Sequence, residues 1–92
     1  MSKSALVLLA EGFEEIEAVA VIDVLRRAQV KVTIAGLGSL QIKSARNLKV
    51  TTDVGVEDCQ DQAFDVAAAG DRLQPFDRGI DSRALFFTRH EA

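Results

Sequence analysis

Apolar and polar residues come in blocks along this chain, and the first boundary between blocks is the sharpest. Residues 4–10 form an unbroken apolar run, Ser4-Ala5-Leu6-Val7-Leu8-Leu9-Ala10. A run without alternation suits a strand covered on both faces, as in a parallel sheet. It stops at Glu11-Gly12-Phe13, and Glu14, Glu15 and Glu17 follow at once. From there to about residue 28 apolar positions recur at helical spacing. Ile16, Ala20 and Val24 make one row, and Val21, Leu25 and Ala28 a second beside it. The glutamates favour the positive end of the helix dipole and Arg26-Arg27 the negative end. No Ser, Thr, Asp or Asn opens the helix, so no ordinary side-chain N-cap is expected.

Residues 30–35 are rich in β-branched side chains and predict the next strand. Strand, helix, strand implies a right-handed crossover between parallel strands. Gly36-Leu37-Gly38-Ser39 reads as a turn. Residues 40–45 and 48–52 alternate apolar and polar, as strands with one wet face do, and predict a small antiparallel excursion at a sheet edge. Residues 53–62 are acidic and predict a loop or short helix. Residues 64–69, Phe64-Asp65-Val66-Ala67-Ala68-Ala69, open like another buried strand. Residues 67–92 then change character, with four arginines, no lysine and the single proline, Pro75. No strand is predicted there, only a weak helix over residues 80–89. Leu85-Phe86-Phe87 leaves two readings open, packing on the sheet or an exposed patch.

With 92 residues the chain predicts one domain with a small core. Hydrophobic residues make up 48% and charged ones 27%, ordinary for a soluble globular protein. The net charge of -3 and a pI near 5.0 give no electrostatic reason to expect nucleic acid or an anionic membrane as partner. One cysteine excludes an intrachain disulfide. No run approaches the roughly 20 apolar residues of a membrane helix, and no signal-peptide pattern opens the chain. A cytoplasmic protein is the expectation.

The candidate chemistry sits at the first boundary. A parallel α/β sheet places working residues where a strand's C-terminal end meets the next helix. On the residues alone, Glu17 reads first as a dipole-stabilising carboxylate, and Glu14 and Glu15 as dipole and surface residues. Neighbouring glutamates on one helical turn diverge, so they make no acid/base pair. The acidic cluster also repels a phosphate at the helix start. Cys59 lies among Glu57, Asp58 and Asp61, whose charges disfavour a thiolate. It reads as an ordinary surface or half-buried thiol. With one histidine, His90, and one cysteine, no zinc site of ordinary ligand count can be built, and no cofactor is expected. Arg26 and Arg27 read as helix C-terminal charges, and Arg46 as a solvated residue on a strand edge.

Several of these segments together carry a resemblance. Residues 4–10, Gly12, Glu14-Glu15, Glu17, Asp23-Val24-Leu25-Arg26-Arg27-Ala28 and Lys31-Val32-Thr33-Ile34-Ala35-Gly36-Leu37 are similar to the start of ThiJ/PfpI superfamily proteins. The closest branch is that of the parkinsonism-associated protein deglycases, redox-sensing proteins also described as chaperones and glyoxalases. Ser44-Ala45-Arg46-Asn47, Thr52-Asp53, Val56-Glu57-Asp58 and Phe64-Asp65-Val66 continue the same order. The resemblance covers about residues 2–66. It implies a flavodoxin-like α/β fold, a parallel sheet with flanking helices, truncated to about the first half of the domain. It also implies a homodimer, and dicarbonyls or glycated proteins as substrates. Glu17 matches the glutamate that hydrogen-bonds and tunes the family's catalytic cysteine. Arg46 matches an arginine near the dimer interface and the neighbouring pocket. Arg27 is a further candidate for an anion or interface contact, and the first helix contributes to the dimer.

The resemblance breaks after Val66. The family's apolar run and Leu-Pro-Gly-Gly turn, which helps form an anion hole, are replaced by Ala67-Ala68-Ala69-Gly70-Asp71. Cys59 does not align with the nucleophile, whose segment has no counterpart here. The expectation is a family-like part, residues 1–66, and a divergent tail, residues 67–92, from alternative splicing, a frameshift or an erroneous gene prediction. Such a chain is expected to be marginally stable and catalytically inactive, or to act as a non-catalytic isoform that pairs with full-length subunits.

Overall fold

The structure, a computed structural model, describes residues 3–59, 62–69 and 72–75. Strand β1 (Ser4–Leu9) is followed by helix α1 (Glu15–Arg27) and strand β2 (Lys31–Gly36). A hairpin of β3 (Gln41–Lys43) and β4 (Lys49–Thr51) comes next, then β5 (Val54–Gly55), a 3-10 turn (Val56–Cys59), β6 (Val66–Ala69) and β7 (Arg72–Pro75). The main sheet has the order β5-β2-β1-β6-β7. Its first four members are parallel, as the flavodoxin-like expectation requires, and β7 runs antiparallel to β6.

The unbroken apolar run explains the central place of β1. Ala5 to Leu9 are all buried, because β1 has a parallel neighbour on each edge and cover on each face. Ala5, Val7 and Leu9 point toward α1 together with Val32 and Ala68. Leu6 and Leu8 point to the other side, with Ala35, Ala67, Val56 and Cys59. Full burial of each large apolar side chain contributes roughly 1.5–3 kcal/mol.

An aspartate precedes two of the parallel strands and pins its register. Asp65 donates its N–H to the Ser4 carbonyl at 3.0 Å, and its carboxylate accepts the Ser4 N–H at 2.7 Å. Asp53 does the same with Ile34, at 2.8 and 2.9 Å. Each side chain extends the ladder by one rung where the backbone alone would leave an N–H unpaired.

Three expectations change. The β3–β4 hairpin is a separate two-stranded sheet, not an addition to the main sheet's edge. Its Ile42 is fully buried in the α1-side core, with Val50 packed against the same cluster. Residues 53–62 contain both a short strand and a 3-10 turn. Beyond residue 67, where no strand was predicted, β7 forms the sheet edge and ends at Pro75. An edge strand tolerates proline because it has an unpaired side. The helix expected over residues 80–89, Phe86, Phe87 and His90 lie outside the described residues. No helix among the described residues is long and apolar enough to cross a membrane.

Candidate functional site

The site is built where β1 ends. With β2 on one side of β1 and β6 on the other, the C-terminal end of β1 is a topological switch point, where open α/β sheets form a crevice. The chain turns there at Ala10–Phe13, closed by the Phe13 N–H on the Ala10 carbonyl at 3.0 Å. Gly12 takes a φ of 86° at the third position, which a type II turn requires and a β-carbon would resist.

Helix α1 starts without a side-chain cap on Glu14, as its composition predicts. Phe13 just before the cap and Ala18 in the first turn are both buried in one cluster, the contact of a hydrophobic staple. The last turn closes with the Val30 N–H on the Leu25 carbonyl and the Gln29 N–H on Arg26, at 3.0 and 3.1 Å. This is a Schellman motif, with Gln29 held at φ 69°.

The hairpin is stitched onto the turn between β1 and α1. Gly12 donates to the Lys43 carbonyl at 2.8 Å, and Ala45 donates to the Phe13 carbonyl at 2.8 Å. Glu11 accepts the Lys43 N–H at 3.0 Å. One Glu15 carboxylate oxygen accepts the Ser44 hydroxyl at 2.5 Å and the Arg46 N–H at 3.2 Å. The Ser44 hydroxyl, above all, and the backbone N–H at Glu15 hold that carboxyl below its ordinary value. Partial desolvation opposes them, and Arg46 adds to the lowering through its N–H and its charge. Glu15 is therefore more than the dipole and surface residue expected. Ser44 carries no functional mark in the sequence pattern beyond its place in the motif of residues 44–47. Its signal was local: a serine opening a turn three residues before an Asn, where Asn47 takes φ 70°.

The three predicted site residues stand apart in function and place. Glu17 lies one helical turn before Val21 on the row that packs toward the sheet, is half-buried, and has no hydrogen-bond partner among the described residues. Arg46 lies in the hairpin turn, not on a strand edge, and its backbone reaches α1 through Glu15. Arg27 is at the far end of α1, about 18 Å from Glu15 along the axis at the usual helical rise. It pairs with Asp23 at 3.0 Å, an exposed pair that contributes little. The structure brings Glu17 and Arg46 to one end of the domain and leaves Arg27 at the other.

Cys59 is buried, not the surface or half-buried thiol expected. Its Sγ donates to the Val56 carbonyl at 3.4 Å. Burial, then the charges of Asp58 and Glu57, push the thiol above its ordinary value, against a smaller lowering by a backbone hydrogen bond. It packs on the sheet face opposite α1, so the sheet separates it from Glu17. Among the described residues, no group of three or more His, Cys, Asp or Glu is placed to hold a metal ion.

On its outward side α1 exposes Ile16, Val19 and Val24, which are 84, 53 and 61% accessible. Ile16, Val19 and Ala20 line an open apolar groove flanked by Glu15 and Asp23.

The sequence profile of the DJ-1/PfpI family matches residues 3–69. Protein dj-1beta of Drosophila melanogaster is 48% identical over 67 residues, covering 72% of this chain and 36% of that protein. A Caenorhabditis elegans protein named glutathione-independent glyoxalase DJR-1.2 is 38% identical over 65 residues, covering 70% of this chain and 35% of its own length. The crystal structure of Drosophila melanogaster DJ-1beta superposes with a TM-score of 0.74 at 44% identity, over 76% of this chain and 38% of that one. The chain thus spans about a third of the length of these relatives.

Proposed function

The chain belongs to the DJ-1/PfpI family, and on that premise we propose that it carries the N-terminal half of a deglycase- or glyoxalase-type site for reactive dicarbonyls or their adducts. The observation that carries this reading is the place of Glu17. It is the half-buried carboxylate inside the first turn of α1, at the sheet's switch point, while Glu11 and Glu15 are engaged by the hairpin. A protonated carboxyl there donates to a neighbouring thiolate and stabilises it, whereas an ionised one repels it. The nematode relative named a glyoxalase favours the same reaction class. Redox sensing, a chaperone role and a cytoplasmic location belong to this proposal.

Cys59 does not serve as the nucleophile, since it is buried on the opposite face with its thiol pushed up. The 92-residue chain is accordingly catalytically silent by itself. Its division into a family-like part, residues 1–66, and a divergent part, residues 67–92, is of a piece with this.

A second, non-catalytic reading rests on the exposed apolar row of α1. That row pairs the chain with a second copy or with a full-length subunit, and Arg46 stands beside the contact. A methylglyoxal consumption assay on the purified chain tests the first reading. No turnover above buffer is expected, and clear turnover overturns the silent half-site. Co-purification with a full-length relative tests the second, and a chain that never associates refutes it.

A further inference from the structure

We propose that Glu15 is a positioning residue: by clamping the β3–β4 turn to the first residue of α1, it sets where Arg46 stands relative to Glu17. Its functional meaning rests on the half-site reading above; its physical basis is a hydrogen-bond network independent of that reading.

The hub is the Ser44 hydroxyl. It accepts the Leu48 N–H at 3.0 Å and the Arg46 N–H at 3.3 Å, and donates its own proton to Glu15. Ser44 is only 4% exposed, so water cannot readily replace the acceptor. Without Glu15 the hydroxyl either keeps an unsatisfied proton or rotates and gives up its backbone bonds, and both are costly for a buried group. The Arg46 N–H loses a second partner in the same change, because it also donates to the Glu15 carboxylate.

Residues 45–48 are all exposed, so no buried side chain anchors the tip. Within the hairpin the Ser44 N–H meets Leu48 and the Asn47 N–H meets Ser44, at 2.8 and 3.1 Å. Those bonds shape the turn but do not tie it to α1. Gly12 and Glu11 bond Lys43 at the end of β3, the Phe13 carbonyl accepts the N–H of Ala45, the first turn residue, and the Glu15 carboxylate takes the next N–H, that of Arg46, together with the Ser44 hydroxyl. Glu15 is also the first helical residue, so it is rigidly connected to Glu17 two positions on. One carboxylate therefore joins the element that bears Arg46 to the element that bears Glu17.

Amide hydrogen exchange on the 92-residue chain tests the clamp. Glu15→Ala is expected to speed exchange at Arg46 and Leu48 about tenfold, the scale of a lost charge-assisted hydrogen bond, while the β1–β2 amides keep their rates. Adding Ser44→Ala to Glu15→Ala also removes the acceptor of the Leu48 and Arg46 N–H groups and should speed these two amides further, again without touching the β1–β2 amides. Unchanged rates at Arg46 and Leu48, or a uniform rise across the sheet, overturn the proposal. Should Glu15→Ala not fold, Glu15→Gln decides. It keeps an acceptor oxygen, so a smaller acceleration confined to the same two amides supports the clamp, and an absent or uniform one overturns it. Pairing supplies a readout that a general loss of stability would not move. Arg46→Ala should weaken self-association in the wild-type chain but not on the Glu15→Ala background, and an equal loss on both overturns the positioning role. A chain that does not associate at all refutes the pairing reading and leaves the exchange rates to decide the clamp.

Discussion

On α1, Ala18, Val21, Ile22 and Leu25 pack against the sheet, while Ile16, Val19 and Val24 stand in solvent. Both rows recur at helical spacing, and nothing in their composition separates them. The inner row is continuous with β1 and β2 because the crossover lays α1 across them, and it is part of what holds the domain together. The outer row contributes nothing to the monomer's core. If the proposed pairing uses it, stability and association should be separable on a single helix.

That separation can be broken directly. Ala18 is 1% exposed and Ile16 is 84% exposed. Ala18→Asp buries an unpaired charge and should cost about 4 kcal/mol, which denaturant melting would register as an unfolded or barely folded chain. Ile16→Asp should change the monomer's stability by less than about 0.5 kcal/mol. In sedimentation velocity, however, it should remove the associated species. Similar losses of stability from both changes would mean that the outer row is not a separate surface.

A pH series sharpens the contrast between the two ends of the same helix. The Glu15 carboxyl is lowered by Ser44, by backbone N–H groups and by the charge of Arg46, with Glu11 and Glu14 as its acidic neighbours in sequence. A lowered carboxyl contributes stability that is present above its unfolded value of about 4.3. That contribution is lost as pH falls through the lower folded value. Protection of the Arg46 amide should therefore fall in acid below about pH 4.3 in the wild type. In Glu15→Gln the same fall should be absent or much reduced. An identical acid profile in the two chains would exclude Glu15 as the group responsible.

The smallest effect is at the C-terminal end of α1. Gln29 holds φ 69° in the Schellman motif, a conformation that glycine adopts without a β-carbon penalty. Gln29→Gly should stabilise the chain by about 1 kcal/mol in thermal melting. It should leave association and the Arg46 amide unchanged. A destabilised variant would show that the Gln29 side chain contributes more than its backbone strain costs.

The legible part of this molecule was local. The strand at residues 4–10, the helix that follows and the parallel partner after it were readable because an unbroken apolar run and a helical period each have one economical structural solution. The absent side-chain cap was readable for the same reason. Glu17 was legible as a candidate through resemblance and position. Glu15 was misread because a carboxylate in a first turn has a sufficient local explanation in the helix dipole. Its partner, Ser44, lies 29 residues away. Cys59 was expected nearer the surface because its neighbours in sequence are acidic. In the 3-10 turn those neighbours point outward while the thiol turns inward. Strand β7 was missed because it has no hydrophobic period and owes its existence to pairing with β6.

By itself the sequence determined the first strand, the helix after it and their parallel partner, the polarity of each end of α1 and the family to which the chain belongs. Those properties depend on neighbours within a turn or two, or on motifs kept in order. Only the tertiary structure decided which apolar row of α1 is covered, where the hairpin docks and which glutamates it binds. These depend on contacts between segments tens of residues apart, and their partners are chosen when the sheet and helix pack, not by periodicity.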